Sequence, residues 1–299
     1  MAWFQHPHSE PGISMAAQLG TLITVGLFAL VLLTNLLRAW RHPQALLADL
    51  RHPVRMAFTA SFAIALILLS ALGTIWGLAD QAWVQAIWWT GSLLEFSITV
   101  WVMSRCLRAA DAGGLGWPAI TPLLMIPIVG NVLVPLAGLH WPVSGWMSAQ
   151  FGLGLFLWPL IVGVLLARLL QVGPLPARMT PTLFILVAPP SAIGLALMQW
   201  TAPPVLVWGC WGVACLSMLW ALSQWRVIQG LPFGMPHWGM SFPLAAFSAL
   251  CLRLGQLPEG HWLLLPGQAA VWVTSGVILW LSIKSLQGLL DGRLLQPEG

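Results

Sequence analysis

The chain has 299 residues, of which 59% are hydrophobic and only 7% are charged. Soluble domains carry about 25% charged residues, so this composition indicates an integral membrane protein. The formal net charge is +4, but the basic residues do not cluster as a patch, which excludes a nucleic-acid partner.

Nine apolar stretches are long enough to cross a membrane, which takes about 20 residues each. Several links between them are very short, so consecutive spans must be antiparallel neighbours. The sequence thus predicts an all-α polytopic membrane protein, built as one domain over 1–299, with an extracytoplasmic segment at 1–15 and a tail at 285–299. The predicted spans are 16–38, 54–78, 82–104, 118–139, 145–168, 179–200, 204–225, 236–255 and 262–284.

The basic residues give this topology a direction. Eleven of the twelve Lys and Arg residues fall on one side, which we assign to the cytoplasm, and Arg253 is the exception. We therefore expect a multi-pass protein of the inner (plasma) membrane with a cytoplasmic C-terminus. An odd number of spans then places the N-terminus outside, although residues 1–15 contain no signal peptide. Either the topology is unusual or a preceding span is missing from this chain.

A recurring feature marks the second, fourth, sixth and eighth spans. Phe62, Pro127, Pro189 and Pro243 follow one another at intervals of 65, 62 and 54 residues, each on a span that enters from the basic side. A proline removes one backbone hydrogen bond and clashes with the carbonyl four residues back, so the helix must kink or open there. Prolines in membrane helices often only bend them. Their regular recurrence favours inner helices that line a substrate path, with continuous helices outside them.

Four stretches in this order resemble the tellurite-resistance/dicarboxylate transporter family, which includes the plant slow-type anion channels and TehA-like bacterial proteins. The resemblance covers nearly the whole chain. The stretches are His52-Pro53-Val54-Arg55, IPIVGNVLVPLAG at 126–138, PTLFILVAPPS at 181–191 and WGMSFPLAAFS at 238–248.

The resemblance implies ten helices in five hairpins, with kinked inner helices around a central pore in each subunit of a homotrimer. This chain would begin where the first helix of the family ends, so that helix is expected to be absent. A start codon assigned too far downstream would explain both this and the outside N-terminus. In the family a phenylalanine on the ninth helix closes the pore, and Phe242, just before Pro243, falls on that position. The family's proline kinks correspond to Pro127 and Pro189.

Polar groups near the breaks are the candidate pore lining. Besides Phe62 and the prolines, Pro190 included, these are Ser61, Asn131 and Ser191. No Lys or Arg lies at mid-depth on the four inner spans, so anions would be attracted weakly, through helix dipoles and these polar edges. Weak attraction favours throughput, because an ion must also leave.

Two charged residues allow more than one interpretation. Glu95 is the one carboxylate deep in a span, where a charge costs about 2.5–3.5 kcal/mol. It is either a proton-coupling site or, as we favour for an outer span, a protonated and hydrogen-bonded contact to a neighbouring helix. Arg253 either draws anions into an external vestibule or extends its side chain to the membrane interface.

The function that these features predict is a passive channel for small anions with Phe242 as its gate. The alternative is a carrier of the same fold for dicarboxylates, sulfite or tellurite-related substrates, proton-coupled through Glu95. The sequence contains no HExxH, GxSxG or Walker motif, and the Cys and His residues have no metal-ligand spacing. No enzyme activity, metal or cofactor is therefore expected.

Overall fold

The computed structural model describes residues 11–109, 112–138 and 141–292. Within those ranges the chain forms helices and no strand, which confirms the all-α prediction. The α-helices are α1 (Pro11–Arg41), α2 (Pro43–Arg51), α3 (Ala60–Ile75), α4 (Ala82–Ser104), α5 (Ile126–Ala137), α6 (Gly145–Val172), α7 (Ala188–Gln199), α8 (Pro204–Leu222), α9 (Trp225–Gln229), α10 (Ser241–Gly255) and α11 (Leu264–Leu290).

Seven helical stretches in the described ranges are long and apolar enough to cross a membrane. They correspond to seven of the nine predicted spans and establish a polytopic membrane protein. The predicted span 118–139 is represented by a shorter apolar helix, Pro122–Ala137. The predicted span 236–255 is a 3₁₀ segment followed by α10, and it is not among the seven stretches that are long and apolar enough to span.

Each of the four inner spans begins as a 3₁₀-helix and continues as an α-helix. The 3₁₀ segments are Arg55–Thr59 before α3, Pro122–Met125 before α5, Ala177–Val187 before α7 and Met235–Met240 before α10. A 3₁₀-helix rises about 2.0 Å per residue against 1.5 Å for an α-helix, so the winding changes at each junction. The recurring break that the sequence predicts is this change of helix type.

The prolines fall in the first α-helical turn after each junction. Pro127 is the second residue of α5, Pro189 the second of α7 and Pro243 the third of α10. There the missing N–H has no intrahelical partner in any case, so the residue is tolerated. Pro243 also offers no N–H to the carbonyl of Gly239, which lies in the 3₁₀ segment. The α-helical hydrogen bonds of α10 therefore cannot extend back through the proline into the 3₁₀ segment.

The described chain divides into two compact units, one ending at Gly173 and the other beginning at Pro174. In the first unit α4 packs on α3, α6 packs on α5, and the inner helices α3 and α5 pack on each other. In the second unit α8 packs on α7, α11 packs on α10, and the inner helices α7 and α10 pack on each other. Each unit thus contains two hairpins that meet through their inner helices.

Glycines allow the two helices of a hairpin to approach closely, as small residues do at membrane helix interfaces. A Cβ on Gly91 of α4 would lie 3.1 Å from the carbonyl oxygen of Ala63 in α3. A Cβ on Gly154 of α6 would lie 3.0 Å from the carbonyl oxygen of Ile128 in α5 and 2.5 Å from Cγ2 of Val132. The outer helices therefore lie directly against the backbone of the inner ones.

Gly154→Ala is expected to lower the stability of the protein, because the added methyl group would overlap Val132 and press on the α5 backbone. Overpacking of this kind costs about 1–3 kcal/mol. Gly152→Ala is the matched control, since a Cβ there meets nothing within 4 Å on the same helix. Thermal unfolding in detergent should show a lower midpoint for Gly154→Ala only. Equal midpoints for the two variants would contradict the close approach.

Candidate pore helices and gate

Phe242 is the second residue of α10, between Ser241 and Pro243. Its side chain is partly exposed, whereas Pro243 is buried. The Ser241 hydroxyl donates a hydrogen bond to the carbonyl of Trp238 at 2.8 Å, across the junction between the two helix types. The large apolar ring of Phe242 therefore lies in the first α-helical turn of this inner span, and the conformationally restricted Pro243 follows it in sequence.

The 3₁₀ segment before α10 is held from two sides. Gly239 lies against the other long 3₁₀ segment, where a Cβ would be 3.4 Å from Cα of Thr182 and 3.3 Å from Cδ1 of Ile185. The indole N–H of Trp238 donates to the Ser285 hydroxyl of α11 at 2.9 Å. These contacts fix the start of the helix that carries Phe242.

His237, in the same 3₁₀ segment, is buried. Its ring lies 5.5 Å from that of Phe233 and 6.0 Å from that of Trp280, centroid to centroid. Its Nδ1 accepts a hydrogen bond from the backbone N–H of Gly234 at 3.3 Å. The imidazole is thus part of an aromatic packing cluster.

Pro127 and Asn131 form a polar network with Thr99 of α4. The Asn131 amide nitrogen donates to the Thr99 hydroxyl and to the carbonyl of Pro127, each at 2.7 Å. The Thr99 hydroxyl lies 2.9 Å from the carbonyl oxygens of Pro127 and Glu95. Because Asn131 is fully buried, it connects helices inside the first unit and presents no polar edge at a surface.

Ser61 and Phe62 stand on an exposed face of α3. The Phe62 side chain is 41% exposed, and its ring stacks on that of Phe28 in α1 at a centroid distance of 6.2 Å. The remaining predicted lining residues are enclosed. Pro189, Pro190 and Ser191 are buried, and the Ser191 hydroxyl donates to the carbonyl of Val187 in the preceding turn at 2.8 Å.

The two charged candidates have different surroundings. Arg253 is partly exposed in the last turn of α10, about three turns beyond Phe242. Glu95 has no exposed surface, and its carboxyl group lies against Gly130 of α5. It therefore faces a neighbouring helix as predicted. Neither of its oxygens has a hydrogen-bond partner in the described chain, so the hydrogen bond that we expected is not there.

Sequence reasoning missed the partners of this buried region. Gln150 and Trp146 of α6 donate to the Ser92 hydroxyl of α4 at 2.9 Å and 2.5 Å. Ser92, Glu95 and Thr99 recur at helical spacing on one face of α4. That periodicity was a signal for a polar face of α4 that contacts both the outer helix α6 and the inner helix α5.

Comparison with known proteins agrees with this architecture. The profile of the family SLAC1, described as voltage-dependent anion channel, matches residues 1–286. Two uncharacterized transporters of Methanocaldococcus jannaschii are similar to the chain. One is 26% identical over 253 residues, which is 75% of this chain and 71% of the relative. The other is 28% identical over 252 residues, which is 75% of this chain and 70% of the relative.

Proposed function

The chain belongs to the voltage-dependent anion channel family, and from that premise we propose that it conducts small inorganic anions passively across a membrane. Membership confirms the family that the four sequence stretches predicted. The family is one of channels and transporters and not of enzymes, in line with the sequence analysis.

The observation that carries the proposal is the position of Phe242. Its ring is partly exposed at the first α-helical turn of an inner span, directly before the buried Pro243. A phenyl ring at a constriction excludes water, and hydrophobic constrictions gate channels by dewetting. In our proposal Phe242 closes the pore, and its displacement opens it.

The charge distribution of the inner helices supports conduction over tight binding. α3, α5 and α7 contain no acidic or basic side chain, and the only one in α10 is Arg253 in its last turn. The α-helical segments begin at the junctions with the 3₁₀ segments, and helix N-termini carry partial positive charge. Such ends attract an anion without holding it, which suits a small permeant ion.

The proposal extends to location and assembly. The excess of Lys and Arg on one side supports an inner (plasma) membrane protein with a cytoplasmic C-terminus. Family membership supports a homotrimer in the lipid bilayer with one pore in each subunit. Arg253, on the opposite side, would lie at the external mouth of its pore.

A carrier of dicarboxylates, sulfite or a tellurite-related substrate is the second candidate. The two similar proteins of Methanocaldococcus jannaschii are named transporters, and the buried Glu95 carboxyl group offers a group for proton coupling. A carrier binds its substrate once per conformational cycle, so its flux saturates at low rates.

Current measurements on the reconstituted full-length chain separate the two candidates. In planar bilayers with a chloride or nitrate gradient, we expect currents that reverse near the equilibrium potential of the anion. Single-channel amplitudes should rise almost linearly with anion concentration. Transport without resolvable unitary currents, saturated at low substrate concentration, would instead identify a carrier.

A further inference from the structure

Glu95 is an ionizable group buried in the membrane-spanning part of the described chain without a hydrogen-bond partner. It lies near the middle of α4 with no exposed surface. Its carboxyl group packs on the backbone of the inner helix α5, where a Cβ on Gly130 would overlap Cδ and Oε1 and lie 2.7 Å from Oε2. Glycine at position 130 is what makes room for the carboxyl group.

Within the described ranges, no charge compensates this carboxyl group. Glu95 is the only ionizable residue of α4, and the adjoining helices α3 and α5 have none. Two short 3₁₀ segments also pack on α4. The segment Arg55–Thr59 carries Arg55, which forms an ion pair with Asp49. The segment Arg105–Leu107 carries Cys106 and Arg105, and the guanidinium of Arg105 donates to the carbonyl of Arg51. The one ionizable group of α6 is Arg168, five turns beyond the contacts of Gln150 with α4.

A carboxylate buried without a cation or a hydrogen-bond donor is too costly to persist, so the packed arrangement requires the neutral acid. The acid O–H is a donor, and a free acceptor lies next to Gly130 in sequence. The side-chain oxygen of Asn131 accepts no hydrogen bond in the described chain, while the amide nitrogen is engaged by Thr99 and Pro127.

Loss of the proton would place a negative charge against the second turn of α5. That turn follows the junction of the two helix types at Ile126 and is connected to α4 through Asn131 and Thr99. The nearby donors on Asn131 and Thr99 are already hydrogen-bonded, so the charge would need water, and water reaches this fully buried group when the helices packed on it separate. Protonation and the packing of an inner helix are therefore coupled.

We propose that Glu95 is a proton-binding switch whose charge state sets the packing of α4 against the inner helix α5 and thereby regulates conduction. The proposed regulation of conduction depends on the proposed channel function. The binding of a proton by Glu95 does not depend on it. The ligand is the proton itself, and it acts on the channel without being transported with the anion.

Conductance measured against pH tests the regulation. When pH is varied from about 5 to about 9, wild-type conductance should rise as the carboxyl group ionizes. Glu95→Gln should remain at the low-pH conductance throughout. Glu259→Gln, the same change at an exposed residue, should keep the wild-type profile. Identical profiles for wild type and Glu95→Gln would overturn the regulation.

Two further measurements separate failure of the switch from failure of the channel proposal. Infrared spectroscopy should show a protonated-carboxyl band that declines as pH rises and is missing in Glu95→Gln, whether or not anions are conducted. A band that is unchanged in Glu95→Gln would overturn the proton site. In a pH gradient the reversal potential should stay that of the anion, and a shift with the gradient would show proton transport in place of regulation.

Gly130→Ala provides a variant that keeps the carboxyl group but displaces it. The added methyl group pushes the flexible end of Glu95 away from α5. We expect a pH profile that is still sigmoidal but displaced along the pH axis, measured on protein whose unfolding transition shows that it is folded. An unshifted profile in this variant would show that contact with α5 is irrelevant to the switch.

Discussion

Phe242→Ala is expected to raise anion conductance about tenfold, the change that a barrier lowered by about 1.4 kcal/mol produces. The substitution removes a partly exposed phenyl ring from the first turn of α10 and leaves Pro243 and the contacts of the preceding segment in place. Without the ring the constriction is wider and no longer dewetted, so water and anions can pass through it. Single-channel recording of the reconstituted protein measures the effect.

Phe247→Ala is the matched control for the gate. Phe247 lies on the same helix, is also partly exposed, and loses the same ring atoms. Five residues of α-helix turn its side chain about 140° away from that of Phe242. Its conductance should stay at the wild-type level. The gate assignment fails if Phe242→Ala conducts like wild type or if both variants conduct alike.

A graded series strengthens this test. Phe242→Leu leaves a smaller apolar side chain at the same place, so its conductance should fall between those of wild type and Phe242→Ala. An effect that follows side-chain volume at position 242 points to occlusion. Equal conductance of the Leu and Ala variants would point to loss of a specific aromatic contact.

The spans themselves were predictable because apolar length and basic flanks are direct consequences of the bilayer. The change of helix type was predictable only in part. Pro127, Pro189 and Pro243 mark three of the four junctions, since each terminates the α-helical bonding pattern. The fourth, at Thr59–Ala60, has no proline. A 3₁₀-helix has poorer hydrogen-bond geometry than an α-helix, and no residue at this junction marks the change, so packing decides there.

The site shows where residue type alone falls short. Asn131 and Ser191 were expected to offer polar edges to a pore, yet both are fully buried. Ser191 satisfies its hydroxyl on its own helix, and Asn131 reaches across to α4. Whether a polar side chain faces a neighbouring helix or an open surface depends on the rotation of its helix. That rotation is set by close contacts such as the one at Gly154 and is not encoded at the residue itself.

For Glu95, the sequence predicted the contact with a neighbouring helix but not the group that it contacts. Its depth in an apolar span correctly predicted contact with a neighbouring helix. The expected hydrogen bond followed from the general rule that buried polar groups are paired. The structure instead places the carboxyl group on the backbone of Gly130, a residue that carries no polar side chain and so gave no sequence signal. Exceptions to the pairing rule in a native fold call for an explanation, and proton binding supplies one.

Phe62→Pro should be tolerated, although Pro inside a helix usually costs about 3 kcal/mol or more. Phe62 is the third residue of α3, the position that Pro243 occupies in α10. If the four inner spans share one junction, a proline at this point loses only a hydrogen bond that the first turn does not need. Phe62→Ala serves as the reference, because both variants lose the stack on Phe28.

Leu68→Pro provides the contrast within the same helix. Leu68 lies in the middle of α3, where a proline removes a bonded N–H and its ring meets the carbonyl of Ile64. Thermal unfolding of the detergent-solubilised protein should give similar midpoints for Phe62→Pro and Phe62→Ala and a far lower one, or no folded protein, for Leu68→Pro. If Phe62→Pro were as damaging as Leu68→Pro, α3 would not share its junction with α10. The repeat would then be confined to the three spans that already carry a proline.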